Sequence, residues 1–200
     1  ALDTTAAGDL WDSTLGITSS NDPDASASGN NLVVYSLPTV VDGLSLGASY
    51  ASDGENDAGS TAYGATYTGI DGLTLGLAGG ENNSAAATVD ITNMYIKYTM
   101  DAFTVGYQAN ESDSETASAD KDFTAMGISY AVSEDLSVSL NTSTIDFENA
   151  TLTDQESTGL SLSYTMGSMT LSAAHNTVDN VAGTAANDRS GYDLGLAFAF

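Results

Sequence analysis

The sequence predicts an all-β protein whose antiparallel strands follow one another in an up-and-down meander. From residue 31 onward, apolar side chains alternate with small polar ones over stretches of about ten residues, which is the pattern of strands with two unlike faces. Tight turns alternate with long polar loops between these stretches. The last strand carries an apolar side chain at every second position, namely Tyr192, Leu194, Leu196, Phe198 and Phe200.

The alternation is regular enough to place each strand in turn. In one early stretch Leu44, Leu46 and Tyr50 share one face, and Ser45 and Gly47 share the other. The same pattern recurs along the chain and predicts about eleven strands, at 31–39, 44–52, 61–68, 73–80, 90–99, 103–110, 122–131, 135–144, 158–165, 169–176 and 192–200.

The connections between these strands are of two kinds. Tight turns are predicted at 41–43, 70–72, 100–102, 132–135 and 166–168, where Gly or Asp supplies the unusual dihedral angles. Long loops rich in acidic and polar residues are predicted at roughly 52–60, 81–89, 111–121, 145–157 and 177–190. A meander with tight turns at one end and long loops at the other has two unlike ends.

Composition excludes several classes of protein. The chain has 27 Asp and Glu residues against Lys97, Lys121 and Arg189, a net charge of −24, which argues against nucleic acid as a partner. There is no cysteine, so there is no thiolate chemistry. No run of roughly 18 apolar residues is present, which excludes a transmembrane helix.

The apolar face of the meander has to be hidden from water, either inside a soluble barrel or against lipid outside a membrane barrel. The opposite face consists of Ser, Thr, Gly, Ala, Asn and Asp, which suits a water-filled lumen. Strands of about 9–11 residues match a tilted crossing of a bilayer. Aromatic residues lie mainly near strand ends, where an interface would hold them: Tyr50, Tyr63, Tyr67, Tyr98, Tyr107, Tyr130, Tyr164 and Phe200. These features favour a transmembrane β-barrel.

The terminal alternation and the rhythm of short turns and long loops resemble the C-terminal part of Gram-negative outer-membrane porins, most closely the general-diffusion porins of alphaproteobacteria. The resemblance covers residues 31–200 as architecture, and only the last strand is a specific motif. It implies a water-filled channel for passive diffusion of small hydrophilic solutes and ions in the outer membrane. It also implies a homotrimer in contact with lipids and lipopolysaccharide, and an assembly-machinery signal in the alternation from Tyr192 to Phe200.

Bacterial single-chain barrels have an even number of strands, so eleven strands predict a partial barrel. The resemblance implies a sixteen-stranded porin without its first five strands. In such porins the loop after the fifth strand narrows the pore, and residues 1–30 occupy that place here. The predicted constriction consists of Lys97 on the lumen side and the carboxylates of this segment, namely Asp3, Asp9, Asp12, Asp22 and Asp24. These carboxylates predict a preference for cations. A solvated acidic loop is the alternative.

Signals for catalysis and metal binding are weak. Gly43-Leu-Ser-Leu-Gly47 matches a nucleophile motif, but Ser45 lies in an alternating strand and the only histidine is His175. No catalytic residue, cofactor or metal site is therefore predicted.

Acidic clusters could attract Ca²⁺ or Mg²⁺, including ions that bridge to lipopolysaccharide, although solvated loops are the alternative. The clusters are Asp53/Glu55/Asp57, Glu111/Asp113/Glu115 and Asp146/Glu148.

The rival interpretation of the whole chain is a secreted or surface-layer β-rich structural protein or adhesin, which would bury the apolar face between chains.

Overall fold

The computed structural model describes residues 32–52, 59–83 and 87–199. These residues form one antiparallel sheet in which each strand pairs with the next along the chain. The predicted all-β, up-and-down fold is confirmed. In the described part of the chain, no helix is long and apolar enough to cross a membrane.

The strands are numbered in chain order. Their bounds are β1 (Leu32–Ser36), β2 (Leu44–Ser52), β3 (Gly59–Ile70), β4 (Leu73–Asn83), β5 (Thr88–Met100), β6 (Phe103–Ser114), β7 (Lys121–Ala131), β8 (Leu136–Phe147), β9 (Gln155–Met166), β10 (Met169–Asp179) and β11 (Arg189–Phe198). A short turn of 3₁₀ helix, Val181–Gly183, follows β10.

Most strands extend further toward the long loops than the sequence predicted. Strand β6 continues to Ser114, β8 to Phe147 and β10 to Asp179, because the backbone ladder persists after the outward side chains change from apolar to polar. Strand β1 is shorter than predicted and ends at Ser36. Pro38 follows two residues later and has no N–H to donate to a ladder.

Four of the five predicted tight turns contain a residue in the left-handed region of backbone space, and the turn at 132–135 does not. Gly43 (φ 77°), Gly72 (φ 73°) and Gly167 (φ 62°) lie there, and Asp101 (φ 51°) takes the equivalent place between β5 and β6. Glycine and, less readily, aspartate tolerate this region. A Cβ atom on Gly43 would also collide with the backbone of Gly69. These residues therefore fix four of the predicted turns.

The outward face of the sheet is apolar in a band next to the tight turns. Tyr98, Val105, Ile128, Leu140 and Leu160 lie opposite one another on successive strands, and all of them are exposed. Large apolar surfaces of this kind mark a membrane or protein contact. An exposed apolar band on every second residue is the arrangement of a transmembrane barrel wall.

Toward the long loops the same outward face becomes polar in two steps. Beyond the apolar band come threonines, such as Thr124 on β7 and Thr144 on β8, which lie opposite each other. Beyond them come carboxylates, such as Asp122 and Asp146, which are also paired. This gradient is expected where the outward face of a barrel passes from the hydrocarbon layer to the headgroup region, because charged side chains on the lipid face destabilise the protein mainly near the middle of the bilayer.

Candidate functional site

The candidate site is the inward face of the sheet. At its turn end this face is lined by hydroxyl groups. Ser129, Ser139 and Ser161 lie in register on β7, β8 and β9, and the Ser139 and Ser161 hydroxyls are hydrogen-bonded to each other. Thr165 Oγ1 lies 3.3 Å from Thr170 Oγ1 on the next strand. Small hydroxyl side chains leave open space and offer donors and acceptors to water, which suits the wall of an aqueous channel.

The loop end of the inward face is closely packed. Phe123, Ala125, Ile145, Val178 and Val181 form one buried apolar cluster, and Phe147 packs against it. The cluster includes inward residues of β7, β8 and β10 and one residue of the loop after β10. The inner wall therefore has a covered part near the long loops.

Polar side chains beside this cluster are also buried. Gln108 and Asn110 on β6 are 4% and 7% exposed, and Gln108 Nε2 donates a hydrogen bond of 2.9 Å to Asn110 Oδ1. Tyr95 on β5 is buried as well, and its ring occupies the space that a side chain at Gly76 would need. Glycine here allows the ring to lie against the wall.

Charged residues of the strands divide between the two faces. The three cations lie inward, because Lys97 pairs with Thr74, Lys121 with Ser112, and Arg189 with the buried Val178. Asp193, opposite Ala174, shares this face. The register places the remaining carboxylates of the described strands outward: Glu81, Asp90, Glu111, Asp113, Asp122, Asp146, Glu156 and Asp179. In the described strands, positive charge thus dominates the inward face and negative charge the outward face.

The outward carboxylates form an acidic band in which like charges oppose each other. Glu81 lies across from Asp90, and Asp122 lies across from Asp146, an arrangement that destabilises a sheet. Asp146 lies on the loop side of the threonines, outside the apolar band. Burial raises the pKa of Asp146, and the nearby carboxylates of Asp154 and Asp122 raise the pKa further.

The predicted site residues have different outcomes. Lys97 is half-buried on the inward face, while its role in a constriction stays a prediction. Residues 1–30, with Asp3, Asp9, Asp12, Asp22 and Asp24, lie outside the described residues. In β11, Tyr192, Leu194, Leu196 and Phe198 all point outward and are exposed, whereas Phe200 lies outside the described residues. Their role as an assembly signal also stays a prediction.

The arrangement of the strands argues against the nucleophile motif. Ser45 is an inward residue of β2, and its partner in register is Thr66. His175 is an outward residue of β10, and its ring lies 4.3 Å from that of Tyr192. A serine and a histidine on opposite faces of a sheet cannot share a proton. Among the described residues, no group of three or more Asp, Glu or His side chains could hold a metal ion.

The sequence reasoning missed the inward apolar cluster. Phe123 and Ile145 lie on the opposite parity from the outward residues Met126 and Leu140. Large apolar residues at inward positions near the long loops, such as Phe123 and Ile145, are the sequence signal for this cluster. The alternation does not single them out, because the outward residues at the same level are Thr and Asp rather than apolar.

Comparison with known proteins agrees with this two-faced sheet. The family profile described as "Gram-negative porin" matches residues 2–200. The chain belongs to the Gram-negative porin family. Membership of this family places the protein in the outer membrane. No curated protein sequence matches the chain.

Solved structures of two porins and of an outer-membrane protein share the fold of this porin chain. The anion-selective porin of Comamonas acidovorans is 18% identical, with a TM-score of 0.71 over 86% of this chain and 60% of that one. OmpT of Vibrio cholerae is 15% identical, with a TM-score of 0.64 over 84% and 64%. A mutant of the Rh. blastica porin is 20% identical, with a TM-score of 0.62 over 100% and 71%. The chain thus spans 60% and 64% of the first two structures.

Proposed function

We propose that the protein forms a water-filled channel for passive diffusion of small hydrophilic solutes and ions across the outer membrane. The observation that carries this proposal is the division of the sheet into an apolar outward face and a hydroxyl-lined inward face. Passage then depends on the width of the lumen and on the charges along its wall. Such a channel requires no catalytic residue, and we propose that the protein is not an enzyme.

A preference for cations is the finer prediction. It depends on the carboxylates of residues 1–30, which lie outside the described residues. The described strands give it no support, because Lys97, Lys121 and Arg189 face inward against a single inward carboxylate, Asp193. The similar porin of Comamonas acidovorans is named as anion-selective. The sign of the selectivity therefore has to be measured directly.

The expected partners follow from the outward face. The apolar band would contact lipid chains, and the acidic band would lie at the level of lipopolysaccharide, where Ca²⁺ or Mg²⁺ would reduce the repulsion between neighbouring carboxylates. A homotrimer is supported by family membership and by the trimer form recorded for OmpT of Vibrio cholerae. The outer-membrane assembly machinery is the third partner, and it would recognise the alternating apolar side chains of the last strand, from Tyr192 to Phe200.

The test is the conductance of the detergent-extracted, full-length protein in a planar bilayer. We expect stepwise openings, in groups of three for a trimer, with a reversal potential under a salt gradient that reports the selectivity. Replacing Lys97 by glutamine should shift the reversal potential toward cations, because it removes an inward positive charge. Glu156→Gln is the control, since Glu156 faces outward. A folded preparation without conductance would overturn the channel.

A further inference from the structure

The loop between β10 and β11, residues 180–188, turns back over the inward face of the sheet. Val181, at its start, is 6% exposed and belongs to the same cluster as Phe123, Ile145 and Val178. The members of this cluster lie on β7, β8 and β10 and in the loop itself, and β7 and β10 are three strand spacings apart, a width of about 14 Å at roughly 4.8 Å per spacing. The loop therefore adds a second layer inside the wall at the loop end.

Hydrogen bonds from the neighbouring loop and strand hold this layer in place. The Ala182 N–H donates to Gln155 Oε1 at 2.8 Å, and Gln155 is an inward residue only 2% exposed. The Thr153 N–H donates to the Gly183 carbonyl at 2.9 Å. Asn180 Nδ2 donates to the Asp154 carbonyl at 3.0 Å. A buried glutamine whose amide oxygen accepts from the loop backbone indicates a fixed attachment.

The backbone of the loop is held in an unusual conformation. Asn180 (φ 55°), Ala182 (φ 58°) and Ala186 (φ 60°) are non-glycine residues in the left-handed region, and Gly183 (φ 73°) lies between them. Each such non-glycine residue costs free energy that the surrounding contacts must offset. The loop also closes on itself, since the Val181 N–H donates to the Asn187 carbonyl at 2.9 Å. The contacts thus impose one conformation on the loop.

The tip of the loop offers a small, uncharged surface, whereas the exposed Asp188 lies at the end of the loop next to β11. Thr184, Ala185 and Ala186 are exposed, while the Asp188 carboxylate accepts a hydrogen bond of 3.1 Å from the Asn180 N–H. A solute that passes this point would meet one hydroxyl and three methyl groups. Such a surface restricts width without adding charge.

We propose that residues 180–188 form a fixed constriction inside the loop end of the channel, with residues 184–186 in the path of ions. This inference rests on the proposed function, since a constriction presupposes a channel. It assigns to the last loop a narrowing that the sequence assigned only to residues 1–30. Because the tip is uncharged, it narrows the path for cations and anions alike.

A charge placed at the tip tests this proposal. Ala185→Lys should shift the reversal potential toward anions, and Ala185→Asp should shift it toward cations, because a charge in a narrow path acts on passing ions. Thr158→Lys and Thr158→Asp are matched controls, since Thr158 is exposed on the outward face opposite Thr177. The controls should leave the reversal potential close to that of the unaltered protein.

Shortening the loop supplies an independent measurement. Deletion of Thr184–Ala186 should raise the single-channel conductance and leave the reversal potential unchanged, because it removes width restriction but no charge. If the unaltered protein conducts and neither the charges nor the deletion has an effect, the constriction is overturned and the channel stands. If the unaltered protein is folded and does not conduct, the channel itself is overturned.

Discussion

The two ends of the inward face share one strand pattern and differ in what covers them. Near the tight turns, Ser129, Ser139 and Ser161 line an open wall. Near the long loops, Phe123 and Ile145 occupy the same inward parity and are 4% exposed. The difference shows that alternation determines which way a side chain points, whereas the adjoining loop determines whether it is buried. The turn end is suited to passage, and the loop end to holding a constriction.

Truncation of a side chain in the buried cluster should have the largest effect on the free energy of unfolding. Phe123→Ala removes a buried aromatic side chain, and losses of about 3–5 kcal/mol in the free energy of unfolding are typical of such changes. Ser129→Ala, on the same strand and face at the turn end, should change it by less than about 1 kcal/mol. Urea unfolding in detergent micelles measures both. Equal losses would show that the two ends are equally packed.

Glycine substitution at the two ends separates crowding from backbone conformation. Gly183 and Gly167 both have positive φ, but a Cβ atom on Gly183 would lie 2.9 Å from Leu152 Cβ, whereas Gly167 has no atom within 4 Å of that position. Valine at either should cost about 1–2 kcal/mol for the left-handed conformation. Gly183→Val should cost roughly 1–3 kcal/mol more for overpacking. Thermal unfolding of both variants tests this, and identical losses would argue against a packed loop.

The smallest expected effect concerns the outward face at the loop end. The pKa of Asp146 in the folded state is raised above 3.8, so ionisation of this carboxylate costs more free energy in the folded state than in the unfolded state. The folded state therefore loses stability as the pH rises above 3.8. Asp146→Asn should therefore be slightly more stable than the unaltered protein at neutral pH. The difference should fade as the pH falls and vanish well below pH 3.8, where the carboxyl is protonated in both states. A difference independent of pH would show that the charge of Asp146 is not its cause.

The sequence predicted the fold well where one face was continuously apolar. Leu44, Leu46 and Tyr50 lie on one face as expected, and the turn at Gly72 has the positive φ that its sequence required. The strand ends near the long loops were missed, because outward residues such as Asp146 and Asp179 break the apolar pattern while the backbone ladder continues. The alternation of apolar and polar side chains reflects lipid on one face and water on the other, so it ends at the level where the lipid ends.

The candidate site was predictable only in part. Alternation alone placed Lys97 on the inward side, and the register agrees. The inward positions of Lys121 and Arg189 could not be predicted, because both lie in strand ends that the sequence assigned to loops. The attachment of Ala182 to Gln155 depends on a contact between segments 27 positions apart. No local pattern encodes such a contact, so it required the folded chain.

The central claim is that one face of each strand meets lipid and the other meets water. Since the chain has no cysteine, single cysteines at Ser137, Val138, Ser139 and Leu140 of β8 can be labelled in intact outer membranes with a membrane-impermeant thiol reagent. The account predicts strong labelling at 137 and 139 and little at 138 and 140, whose side chains share the outward face. Equal labelling at all four positions, or labelling of the outward pair alone, would contradict it.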